Sequence, residues 1–172
     1  MISNKNGTYI LIGLAALAGL MYWKKDAVVS AGGDTIGAIV DMTQPRGIRN
    51  NNPGNIRHGQ KWQGLAPQQP DKSFATFTSP EYGIRAIAKV ITSYDTKYGI
   101  RTVRGIINRW APPNENDTDA YVNAVADSLG VDPDEDIAVE NHMAELVAAI
   151  VKHENGQQPY STAQIETGVS MA

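Results

Sequence analysis

Residues 139–154 carry the strongest periodic signal in the chain, because apolar side chains recur there every three or four residues. The apolar members are Val139, Met143, Leu146, Val147 and Ile150. This spacing is typical of the buried face of an amphipathic helix. Glu154 occupies the next position of the same face, and Asn155-Gly156 then ends the run. The pattern therefore predicts a helix in which one carboxyl group continues the apolar face.

The position of Glu154 predicts an altered proton affinity. Burial disfavours the charged form of a carboxyl group, and so does the negative end of the helix dipole at a C-terminus. Both effects raise the pKa, which is the property that a general acid needs for glycosidic bond cleavage. The alternative is a glutamate that faces water at the rim while Asn155-Gly156 caps the helix. Spacing alone leaves both alternatives open.

Start and stop signals predict the other helices of the domain. One helix runs from a Ser-Pro-Glu start at 79–81 to Gly99, where the proline and the acid suit the first turn. A second covers 102–110 before two prolines, and a third covers 119–130 and closes on glycine. The Asp-Pro-x-Glu sequence at 132–135 resembles a capping box, so we expect it to open the long helix that ends at Glu154.

Residues 46–69 change in composition to Asn, Gly and Pro, which are turn-forming residues. A short β-hairpin is predicted near 55–62. The asparagines and Trp62 suit hydrogen bonding to sugars and stacking on them, although Trp62 alternatively serves as a plug in the core. The expected fold class is thus mainly α (α+β), a helical domain with a small β-hairpin over residues 46–172.

An uncharged apolar stretch, residues 7–23, lies near the N-terminus between lysines. Its length and flanking aromatic residues predict one transmembrane helix within residues 1–25, followed by a Gly-dotted linker over 26–45. A cleaved signal peptide with a small-residue site near Ser30 and a buried core helix are the alternatives.

Composition argues against several classes of protein. A formal charge of −3 and a pI near 5.6 disfavour nucleic acid as a partner. The chain has no cysteine, and its three histidines are far apart in sequence, so neither a metal site nor an organic cofactor is predicted. Glu115, in "WAPPNENDT", is a second candidate catalytic carboxylate, although acids near a helix start are also favoured structurally.

Longer strings resemble known families. "GIRNNNPGNIRHGQKWQG", together with "SPEYGIRA" and "RWAPPNENDT", resembles a family of phage-encoded, virion-associated proteins that degrade peptidoglycan. "LVAAIVKHENGQQPYS" is similar to the helix of lytic-transglycosylase and lysozyme-like domains that ends in the catalytic glutamate, through Glu154, Gly156 and Pro159. "NNPGNIR" and "KWQG" resemble a glucosaminidase hairpin that normally follows the catalytic helix, whereas here they precede it.

The resemblance implies a lysozyme-like domain in permuted order, with Glu154 as acid and base of a lytic transglycosylase or muramidase. Contacts to the glycan are expected from Asn51, Asn52, Asn55, Trp62 and Tyr160. The implied partners are peptidoglycan strands, a lipid membrane and other virion proteins. The implied location is a membrane-associated virion that acts at the host cell envelope. The alternatives are a non-enzymatic structural or glycan-binding virion protein, and a bacterial or prophage envelope protein.

Overall fold

The computed structural model describes residues 43–114 and 117–172. Six α-helices lie within these two ranges. They are α1 (Arg46–Arg49), α2 (Pro80–Tyr98), α3 (Val103–Trp110), α4 (Thr118–Leu129), α5 (Met143–Asn155) and α6 (Thr162–Ser170). A turn-rich segment of about 30 residues connects α1 to α2, and a shorter one connects α4 to α5. The described part of the protein is therefore mainly helical.

The predicted starts and stops of α2, α3 and α4 are confirmed. Pro80 opens α2, and Gly99 ends it in the left-handed conformation with φ 66°. The side chain of Thr102 accepts a hydrogen bond from the third backbone N–H after it at the start of α3. Asp117 does the same at the start of α4, which ends at the left-handed Gly130. Local capping chemistry thus sets these boundaries.

The hydrophobic core lies among α2, α3, α4 and α5. Its largest fully buried side chains come from all four helices and from the turn-rich segment: Ile56, Phe77, Ile84, Ile87, Ile91, Val103, Ile106, Ile107, Trp110, Tyr121, Leu146 and Ile150. Helix α5 contacts α1, α2, α4 and α6. A side chain on its inner face is therefore surrounded by other elements of the fold.

The predicted β-hairpin near 55–62 is wrong, since the described residues contain no strand. Two isolated antiparallel bridges occur in this segment instead, between Arg57 and Phe74 and between Leu65 and Phe77. The side chain of Asn52 accounts for much of this arrangement, because it donates to the carbonyls of Ile56 and Ala75 and accepts from Ile56 N. Residues 56–58 thus pair with residues 73–75, supported by this buried amide, and not within a hairpin over 55–62. The expected α+β class is corrected to a mainly helical one.

Helix α5 begins at Met143, so the predicted start at 132–135 is wrong. The carboxylate of Asp132 accepts a hydrogen bond from a backbone N–H two residues later, which is an isolated turn. The carbonyl of Pro133 accepts from the N–H of Arg104. The backbone of this segment therefore pairs with α3 and not with a following helical turn.

Helix α6 is not predicted by the sequence analysis. Ser161 and Gln164 form a capping box at its start, with reciprocal side-chain and backbone hydrogen bonds. The helix packs against α2. A Cβ on Gly168 would lie 2.5 Å from Ile84 Cγ2, so this glycine permits the close approach of the two helices.

Within residues 43–114 and 117–172, no helix has both the length and the hydropathy needed to cross a bilayer. The expected anchor over 1–25, and all of the linker over 26–45 except its last three residues, lie outside the described part of the chain.

Candidate active site

Glu154 lies in the last turn of α5, with 8% of its surface exposed. It continues the inner face formed by Leu146, Val147 and Ile150, all of which are fully buried. Of the two alternatives that the spacing left open, the structure has the buried glutamate and not one that faces water at the rim. The helix ends one residue later at Asn155, and Gly156 follows it in the left-handed conformation with φ 66°.

Three hydrogen-bond donors from the described residues reach the Glu154 carboxyl group. The indole Nε1 of Trp110, at the end of α3, donates to Oε1 at 2.9 Å. The hydroxyl of Tyr121, in α4, donates to the same oxygen at 3.2 Å. The side-chain Nδ2 of Asn55 donates to Oε2 at 3.1 Å. Three separate segments thus converge on one carboxyl group at the end of a fourth.

Burial raises the pKa of Glu154 to about 7, although the hydrogen bonds from Trp110, Asn55 and Tyr121 act in the opposite direction. Removing a carboxylate from water disfavours its charge, while donors stabilise that charge. Here burial has the larger effect. Near neutral pH the group therefore exists in both protonation states, as a residue that acts first as an acid and then as a base requires.

Asn55 reaches the carboxyl group from a tight turn, in which its N–H donates to the carbonyl of Asn52 at 2.9 Å. The turn lies directly on the aromatic ring that also contacts the carboxyl group. A Cβ on Gly54 would lie 2.6 Å from Ile87 Cγ1 and 3.1 Å from Trp110 Cζ2. Glycine at this position therefore allows the turn to place Asn55 beside Glu154.

His153 stacks on Tyr121, with ring centroids 3.5 Å apart and an interplanar angle of 7°. Burial lowers the pKa of His153 below 6.5. Burial also raises the pKa of Tyr121 well above 10.0, and the neighbouring charge and hydrogen bond of Glu154 add to this. Both rings are thus uncharged at pH 7. His153 also lines an open cavity of about 300 Å³ between α4 and α5, together with Lys152 and Gly156.

The predicted glycan-contacting residues have different surroundings. The structure brings Asn55 to Glu154. Asn51 donates to the carbonyl of Phe77 at 3.0 Å. Asn52 is fully buried, and backbone groups occupy its amide.

Trp62 is half-buried against the core, and its indole N–H has no hydrogen-bond partner among the described residues. Tyr160 lines a second cavity, of about 200 Å³, between α5 and α6. Burial raises the pKa of its hydroxyl to about 12. Glu115 lies outside the described residues. In the described part of the chain, no group of three His, Asp or Glu side chains is placed to hold a metal ion.

Three residues of the site are not identified from the sequence: Trp110, Tyr121 and His153. Helical spacing indicates that both aromatic residues lie on buried faces. Trp110 follows Ile106 and Ile107 by four and three positions. Tyr121 precedes Val125 by four. That signal identifies burial alone. It does not show that both polar tips meet the same carboxyl group.

Comparison with known proteins finds a related phage protein. The chain is 40% identical over 127 residues to Protein P5 of Pseudoalteromonas phage PM2, and the aligned part covers 72% of this chain and 79% of that protein. No protein-family model matches the chain.

Proposed function

The chain belongs to the family of Protein P5 of Pseudoalteromonas phage PM2, and from this premise we propose that it is a virion-associated phage enzyme that cleaves the glycan strands of peptidoglycan. The phage relative supports the biological context. The observation that carries the chemistry is the buried carboxyl group of Glu154, with its pKa raised to about 7 and three donors in contact with it. This is the environment of a general acid that remains protonated near neutral pH.

In the proposed reaction, protonated Glu154 donates its proton to the glycosidic oxygen as the bond between the muramoyl C1 and that oxygen breaks. The positive charge that develops at C1 is then quenched by the muramoyl 6-hydroxyl oxygen of the same sugar. The Glu154 carboxylate takes the proton from this hydroxyl. The products are a free 4-hydroxyl on one fragment and a 1,6-anhydro ring on the other, and Glu154 is again protonated.

We favour a transglycosylase over a hydrolase with two carboxylates, because its chemistry needs one carboxyl group alone. The described hydrogen-bond partners of Glu154 are an indole, a phenol and an amide, and none of them is a carboxyl group. Hydrolases that retain or invert configuration use a second carboxylate at about 5–10 Å from the first. Intramolecular attack by the 6-hydroxyl needs one group that acts first as an acid and then as a base, which Glu154 provides by itself.

Zymography of the full chain in a gel that contains peptidoglycan tests the proposal. The wild type should clear the gel, Glu154→Gln should not, and the control Glu140→Gln should clear it as the wild type does, because Glu140 is exposed in a turn before α5. Mass spectrometry of the released fragments should find 1,6-anhydromuramoyl ends, which are lighter than hydrolysed ends by one water molecule. Clearing by Glu154→Gln would refute the assignment of the acid.

A non-enzymatic virion protein is the second candidate, and one observation favours it. The same three hydrogen bonds join α3, α4, α5 and the turn at Asn55, so Glu154 also holds these four segments together. For a structural or glycan-binding protein, the wild type would sediment with insoluble peptidoglycan and release no fragments from it. Glu154→Gln would then bind as the wild type does.

A further inference from the structure

Two side-chain oxygens beside the candidate active site are buried without a hydrogen-bond partner among the described residues. They are Asn55 Oδ1 and Asn155 Oδ1. Their residues are 9% and 8% exposed, respectively. A buried amide oxygen without a donor is unfavourable and uncommon, so a neighbouring pair of them needs a physical explanation.

The two oxygens lie on the same side of Gly47. The point where a Cβ on Gly47 would stand is 2.6 Å from Asn155 Oδ1 and 3.0 Å from Asn55 Oδ1. Each amide nitrogen points elsewhere. Asn55 Nδ2 donates to Glu154 Oε2, and Asn155 Nδ2 donates to backbone carbonyls, including that of Pro53. When Glu154 is ionised, both amide oxygens therefore lie on the same side of Gly47. Both are hydrogen-bond acceptors, and neither amide places a donor there.

A half-turn of the Asn55 amide about its Cβ–Cγ bond provides the missing donors. The nitrogen then takes the place of Oδ1 on the side of Gly47 where Asn155 Oδ1 also lies, and the oxygen lies about 3.1 Å from Glu154 Oε2. In this position Asn55 Oδ1 accepts a hydrogen bond if Oε2 carries the acid proton. Trp110 and Tyr121 both donate to Oε1, so Oε2 is the oxygen that has room for the proton.

We propose that Asn55 is a positioning residue that is hydrogen-bonded to Glu154 Oε2 in both protonation states, donating through Nδ2 to the carboxylate and accepting through Oδ1 from the acid. Its importance for catalysis rests on the proposed function, because that reaction takes Glu154 through both states. The rotation of the amide does not depend on catalysis. The backbone at Asn55 has φ 48°, which glycine adopts with less strain, so the side chain is present at a conformational cost.

The titratable groups that face the Glu154 carboxyl do not change charge near pH 7. Tyr121 contacts it from α4 and stays protonated, since its pKa is raised well above 10.0. His153, across the Tyr121 ring, is neutral, since its pKa is lowered below 6.5. From α3 the contact is the indole of Trp110, which does not titrate. The rotation of the Asn55 amide should therefore follow the ionisation of Glu154.

NMR of the full chain with isotope-labelled asparagine and glutamate side chains tests the proposal. Below the Glu154 midpoint, the Asn55 amide protons should give strong NOEs to the Hα protons of Gly47, and above it these NOEs should weaken. The amide shifts and the Glu154 carboxyl carbon should share one midpoint. In Glu154→Gln, the new side-chain nitrogen replaces the acid proton, so strong NOEs are expected at every pH. An Asn55 amide that keeps one orientation throughout the titration overturns the proposal.

Two glycine variants test the functional consequence. Asn55→Gly suits the left-handed backbone and should keep the fold while it removes the amide. Asn51→Gly is the matched control, because Asn51 has φ 49° but donates to Phe77 O and not to Glu154.

Asn55→Gly should lower the cleavage rate at saturating peptidoglycan about tenfold, with little change in KM, because it removes a contact that orients the acid. Asn51→Gly should leave the midpoint of the Glu154 titration unchanged. A rate for Asn55→Gly within twofold of the wild type overturns the positioning role. If the wild type cleaves no glycan, the proposed function is refuted. The NMR experiment tests the rotation of the Asn55 amide independently of that outcome.

Discussion

Glu154→Gln should change how the stability of the protein depends on pH. Glutamine has nearly the shape of a protonated glutamate but cannot ionise. In the folded wild type the pKa of Glu154 is raised from 4.5 to about 7. Between these values the folded state holds a proton that the unfolded state releases, so the stability of the wild type falls as pH rises. Above about 7 the whole cost of the buried charge is present.

The size of the effect follows from the two pKa values. Each tenfold change in proton affinity corresponds to about 1.4 kcal/mol. The shift from 4.5 to about 7 therefore corresponds to about 3 kcal/mol for the complete transition, and about 2–3 kcal/mol of it should appear between pH 5 and pH 8. Over this interval the free energy of unfolding of Glu154→Gln should rise by that amount relative to the wild type.

Urea denaturation of the full chain at several pH values measures this difference, because urea is uncharged and does not screen electrostatic interactions. Any offset that does not depend on pH, such as the cost of fitting the extra amide nitrogen, cancels when two pH values are compared. Groups that titrate in both proteins cancel as well. Glu140→Gln is the control for the same substitution at an exposed position.

The reasoning would be refuted if the difference in the free energy of unfolding between Glu154→Gln and the wild type did not change from pH 5 to pH 8. An unchanged difference would mean that the three donors compensate for burial and that the pKa stays near 4.5. A difference that grows in the opposite direction would mean that the carboxylate stabilises the fold. In either case Glu154 would be ionised at neutral pH, and the proposed acid would not be available.

The remaining predictions concern the surroundings of the carboxyl group and the turn-rich segment. Gly54→Ala places a carbon 2.6 Å from a side chain of α2, so urea denaturation should show destabilisation by about 1–3 kcal/mol. Tyr121→Phe removes a donor to the carboxylate, so NMR should show the pKa of Glu154 rising above about 7, and a lower midpoint would contradict this contact. Burial opposes the ionisation of Asp71, but hydrogen bonds from Arg46 and from other donors outweigh it and hold the pKa well below 3.8. The wild type should therefore lose stability as pH falls below about 4, whereas Asp71→Asn should be about 1–3 kcal/mol less stable at pH 7 and lose less on acidification.

Local signals predicted much of the helical fold. Pro80, Gly99 and Gly130 mark helix boundaries that the structure confirms, because capping depends on neighbouring residues alone. The Asn, Gly and Pro residues of 46–69 correctly indicate turns, but the hairpin that they predict near 55–62 does not form. Residues 56–58 pair instead with residues 73–75, and the buried side chain of Asn52 bonds to both of these backbone stretches, which no periodic pattern indicates.

The predicted start of α5 is wrong for a related reason. The Asp-Pro-x-Glu sequence at 132–135 has the composition of a capping box, yet the carbonyl of Pro133 is bonded to Arg104, almost 30 residues earlier in the chain. A contact over that distance competes with the local helix signal and prevails over it. Sequence periodicity correctly predicted that α5 buries one face, but not where the helix begins.

For the site, the sequence by itself determined that Glu154 continues the apolar face of a helix and that the helix stops directly after it, but it left open whether the carboxyl group is buried or faces water. These properties depend on residues within a few turns, and they survive in the folded protein. The donors to its carboxyl group come from 33, 44 and 99 positions away in the chain. Only the tertiary structure decided that Tyr121, Trp110 and Asn55 meet there. Helical phase shows which side of a helix is buried, whereas packing decides which polar groups are buried with it. The balance between burial and these donors sets the pKa of Glu154.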